Sequence, residues 1–73
     1  MGLVRTGNFN HDTAVTVAEG VRQAAIPPGS TQATARAADI AHYRAALASA
    51  KANNGVNPYQ FIIALQELGT GGV

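Results

Sequence analysis

At 73 residues the chain has room for one small domain, whose stability is marginal unless disulfides, a metal or partner chains add to it. It has no cysteine, which excludes disulfides and thiolate metal sites, and its net charge of +1 offers little to the phosphates of a nucleic acid. Only 12% of its residues are charged, about half the usual share, and fifteen of its apolar residues are alanine, which favours helix but buries little area.

A lone monomer usually keeps a more charged surface than this, so the composition suits a chain whose faces are covered by neighbours. No positive segment followed by an apolar run marks a secretory signal, and no stretch approaches the roughly 20 apolar residues of a membrane span. A cytoplasmic or virion location fits these features. The opening "MGLVRT" matches a short myristoylation pattern, which we attribute to chance.

Residues 1–10 hold two glycines and two asparagines without helical periodicity, and are expected to form an extended arm. Leu3, Val4 and Phe9 give that arm apolar contacts to make with a neighbour. A first helix is expected over about 11–26, capped by Asn10, with Asp12 near its positive end. Ala14, Val17, Ala18, Val21, Ala24 and Ala25 recur at helical spacing and mark its apolar stripe. Gly20 interrupts this helix at a cost of about 1 kcal/mol relative to alanine, as a close neighbouring helix would require. The run "PPGS" ends the helix, because the residue before a proline avoids the α region.

A second helix is expected over about 31–53, capped by Ser30 or Thr31. Ile40 and Leu47 share one side of it, flanked by Tyr43, while Ala35, Ala38, Ala45, Ala46, Ser49 and Ala52 make the other side small. Gly55 suits a left-handed helix ending, with Val56 after it making the apolar contact. Asn57, Pro58 and Gln60 read as cap, first turn and capping-box partner of a third helix over about 58–68. Val56 and Phe61 then form a hydrophobic staple, so one valine serves both helices. Phe61, Ala64, Leu65 and Leu68 line one face of the third helix, and Tyr59 and Ile63 line another. The tail at residues 69–73, "GTGGV", is not expected to hold structure of its own. The fold class is therefore all-α: one three-helix domain with an arm and a glycine-rich tail.

No catalytic or metal constellation emerges. His11 beside Asp12 and His42 three residues after Asp39 offer two ligands each, fewer than a divalent metal needs, and both histidines read as surface or helix-terminal groups. The two serines, Ser30 and Ser49, lie in no nucleophile elbow, and "GTGG" leads into no helix that would complete a phosphate site. We expect a non-enzymatic protein without cofactor, metal or small-molecule ligand. Arg36, Arg44 and Lys51 fall on one side of the second helix as a weak basic stripe, but the third helix carries no lysine or arginine to reach DNA. A small DNA-binding or regulatory module, or an accessory subunit or inhibitor of one enzyme, are the alternative classes. The leading expectation is a structural subunit that packs with copies of itself or a larger partner, as in a virion or filament. Its expected interface comprises Tyr59, Ile63, Phe61 and Leu65 together with Leu3, Val4 and Phe9.

Overall fold

The computed structural model describes residues 7–73. Three helices account for its regular structure: α1 at Phe9–Ala25, α2 at Gln32–Ala52 and α3 at Tyr59–Glu67. No strand occurs among the described residues, and the all-α class follows. Leu3 and Val4 lie outside them.

α1 begins earlier than the sequence suggests. Asn8, not Asn10, is the cap: its side-chain oxygen accepts the His11 amide at 3.0 Å and its carbonyl accepts the Asp12 amide at 2.9 Å. The Asp12 carboxylate reaches back to the Gly7 amide at 3.1 Å. Phe9, expected in the arm, is consequently the first residue of the helix. His11, in the first turn, faces the inside of the molecule.

The connection after α1 is a turn over "PPGS", closed by the Ser30 amide on the Pro27 carbonyl at 3.1 Å. Thr31 then caps α2, its hydroxyl accepting the Thr34 amide at 3.2 Å, while Ser30 bonds back to Pro27 instead. α1 and α2 run antiparallel. The start of α1 meets the end of α2 through His11 and Ser49, and the end of α1 meets the start of α2 through the Arg22–Asp39 ion pair.

The corner between α2 and α3 is short, as expected, but differs in detail. Gly55 does take positive φ (+89°), yet it sits inside a turn closed by Val56 on Asn53 at 3.4 Å rather than ending α2 directly. Asn57 contributes its side-chain oxygen to the Tyr59 amide at 3.0 Å, and Gln60 reaches the Asn57 carbonyl at 3.3 Å in place of a reciprocal capping box. Pro58 supplies the carbonyl that opens α3. Val56 and Phe61 are both buried in the core, where the staple puts them.

The Schellman ending appears instead at the close of α3. The Thr70 amide bonds the Leu65 carbonyl at 3.1 Å and the Gly69 amide bonds Gln66 at 2.9 Å. Gly69 holds φ at +84°, which a Cβ would strain. Beyond it the tail is folded: the Thr70 hydroxyl donates to Leu65 O at 2.9 Å and accepts the Gly72 and Val73 amides. Arg36 donates to the Leu68 carbonyl and Arg44 to Val73 O, so α2 holds the tail along its flank. That support comes from outside the tail, which is why the tail's own composition gave no sign of it.

The core lies at one end of the hairpin, where α3 folds across. Val15, Ala46, Leu47, Ala50, Val56, Phe61 and Leu65 form it, with Ile40, Tyr43 and Ile62 packed around them. At 1.5 Å per residue the 9-residue α3 is about 13 Å long against about 31 Å for the 21-residue α2, so it covers less than half of the hairpin.

The apolar stripe anticipated for α1 is only partly the core-facing one. Of its six members Ala18 alone is buried, and the inward line is His11, Val15 and Ala18. Ala14, Val17, Val21, Ala24 and Ala25 are exposed. Turning His11 and Val15 inward rotates the richer stripe out of the core.

Candidate interaction surfaces

Both histidines are buried, contrary to their expected surface placement. His11 is wholly enclosed: its Nδ1 lies 2.8 Å from the Ser49 hydroxyl, and its ring packs 5.7 Å from that of Phe61. Asn53 joins the same knot, its side-chain amide donating to the Ser49 carbonyl at 2.8 Å and reaching the Ser49 hydroxyl at 3.4 Å. A serine bonded to a histidine is the beginning of a nucleophile–base pair. Here the imidazole has no exposed surface, so the pair works as a tie between the start of α1 and the end of α2. Its Nε2 finds no protein partner among the described residues, which leaves a desolvated polar atom in the core. His42 is buried as well, edge-on to Tyr43 at 5.4 Å between ring centroids, with its Nδ1 likewise unpartnered. The sequence signal for His11 was its spacing of four and seven residues from Val15 and Ala18, the line that faces the core.

The proposed interface residues separate into two groups. Phe61 and Leu65 are the largest fully buried apolar side chains and hold the three helices together, so they belong to the intramolecular core and not to an outer face. Tyr59 and Ile63 remain 67% and 54% exposed on the outer side of α3. Phe9 is 80% exposed on the first turn of α1.

All three residues of the basic stripe, Arg36, Arg44 and Lys51, are exposed, and Arg36 and Arg44 each donate to a carbonyl of the α3 end and tail. A cation at the negative end of α3 is favourably placed for the helix dipole. Among the described residues no three side chains are grouped to hold a metal ion, and no helix is long and apolar enough to cross a membrane.

A feature unanticipated from sequence is a groove between α1 and α2, lined by faces of both helices other than the one on which α3 packs. It encloses about 220 Å³. Val17 and Val21 form its α1 wall and are 63% and 62% exposed, while Ala38, Ala41 and Ala45 of α2 form its floor and far wall. Arg22, held by Asp39, closes one edge, so the charge there is already neutralised within the chain. The space is below the 300–1,000 Å³ of ordinary small-molecule sites and suits a few aliphatic side chains.

The chain matches no family model, and no curated protein or solved structure is significantly similar to it.

Proposed function

We propose that the chain is a non-enzymatic structural subunit that packs with copies of itself or against a larger partner in a multi-subunit assembly, of the kind that builds virions or filaments. The observation that carries this is the bare apolar stripe of α1, with Val17 and Val21 more than half exposed beside an alanine-floored groove. Tyr59 and Ile63 add a second apolar face on α3.

The mechanism is burial. Covering a valine or isoleucine completely is worth about 1.5–3 kcal/mol, whereas association costs about 4–15 kcal/mol in lost rigid-body freedom. Several such residues must therefore be covered at once, as happens when whole helix faces meet. Light scattering over a micromolar concentration range tests the proposal. Mass above the single-chain 7.5 kDa supports packing with copies of itself, and a folded chain that stays at that mass throughout refutes that form of the proposal.

A further inference from the structure

From the groove geometry we infer that the α1/α2 face is a self-pairing surface, on which a second copy of this chain sits about a two-fold axis running along the groove. This rests on the assembly function proposed above and names its partner and contact surface.

Three observations point to a second copy. The face carries both halves of a complementary shape: Val17 and Val21 stand up on α1, and Ala41 and Ala45 leave α2 low beside them. A two-fold axis along the groove places the partner's α1 over this chain's α2 at the same height. Each pair of valines then enters the other chain's alanine hollow, the reciprocal contact an isologous interface requires.

The electrostatics agree. Arg22 is the charged side chain on the groove's lining and is already paired with Asp39, so bringing two copies together opposes no like charges across the centre.

The area is sufficient. At 1.5 Å per residue the 17-residue α1 is about 25 Å long, and two helices 8–10 Å apart present a strip about 20 Å wide, or roughly 500 Å² per chain. Two copies enclose about 1,000 Å², which reaches the lower bound for specific association. The pairing is accordingly concentration-dependent, and it gives the uncovered face of the hairpin the second layer that helices need to bury their stripes.

The absence of native cysteine permits a direct test. Val17→Cys and Ala45→Cys are made as separate single variants, mixed, and oxidised gently. The heterodisulfide between them is expected to form several-fold faster than either homodisulfide, because the axis sets position 17 of one chain nearest position 45 of the other. Predominant homodisulfide, or no cross-link, overturns the arrangement.

Light scattering on Val17→Asp, Ala41→Glu and Ile63→Asp distinguishes this inference from the broader function. These positions are exposed, so helicity by circular dichroism should be retained. The expected result is a doubled mass for the native chain and for Ile63→Asp, with both groove variants monomeric. If the native chain associates and the groove variants do so equally, this surface is refuted while assembly stands. If the native chain is monomeric at every concentration, the self-pairing surface is refuted, and with it packing between copies of the chain.

Discussion

Ser49→Ala should destabilise the fold, whereas removing both members of the His11–Ser49 pair should not. In the native chain His11 is enclosed, one ring nitrogen satisfied by Ser49 at 2.8 Å and the other without a protein partner. Loss of the serine hydroxyl leaves the second nitrogen unsatisfied too, at a desolvation cost of about 1–3 kcal/mol. The double variant His11→Leu, Ser49→Ala removes every polar atom of the pair. It forfeits a hydrogen bond worth about 0.5–1.5 kcal/mol net, but relieves the penalty of the unpartnered nitrogen, about 1–3 kcal/mol. Leucine also keeps apolar contact with Phe61, with a volume near that of histidine. The double variant should therefore match or exceed native stability, by up to about 2 kcal/mol, while the serine variant falls below it. Urea unfolding followed by circular dichroism at one fixed neutral pH gives all the corners of the cycle. A neutral Ser49→Ala, or a double variant less stable than Ser49→Ala, would refute the account of His11 as a strained polar group in an apolar core.

Leu65 is completely buried among all three helices, so Leu65→Ala should cost about 2–5 kcal/mol. A chain of 73 residues has only about 4–11 kcal/mol in total, and the thermal midpoint should drop steeply or cooperative unfolding vanish. Gly20→Ala should stabilise by about 0.5–1 kcal/mol, since an added Cβ meets nothing within 4 Å; a loss in chemical denaturation would show that a neighbour needs that space. Arg36→Ala should free the end of α3, raising hydrogen exchange at Gly69 and Thr70 while the Phe61 amide stays protected. Equal exchange in both proteins would show that the Schellman bonds alone hold the tail.

The parts of this fold legible in the sequence are those encoded by neighbours along the chain. "PPGS" and "GVNP" stop and start helices through backbone restrictions that act over a few residues, and both corners lie where those residues put them. Choosing Asn8 over Asn10 could not be made that way, because both can cap. What decides is the burial of His11, an interaction with Ser49 and Phe61, 38 and 50 positions distant. The same limit explains the outward turn of Val17 and Val21. Periodicity finds a stripe but does not say whether the surface meeting it belongs to the same chain. Tyr59 and Ile63 were easier, since the staple of Val56 on Phe61 turns Phe61, and Leu65 one turn on, toward the core. The folded tail depends on arginines 29 and 32 residues away, beyond the reach of local rules.

The short reach of α3 also sets how the molecule should come apart. The three helices meet around His11, Val15 and Phe61, while toward "PPGS" α1 is held to α2 by Arg22 and Asp39 and α3 reaches α2 alone, through Arg36. Amide protection should therefore be graded along the same two helices, strongest around Val15 and Ala46 and weakest around Val21 and Ala38. The hairpin tip then behaves as a hinged pair of prongs on a closed base, able to change its spacing by small helix shifts without unfolding the core. In the assembly proposed above, curvature would be taken up at the prongs while the bases remained identical.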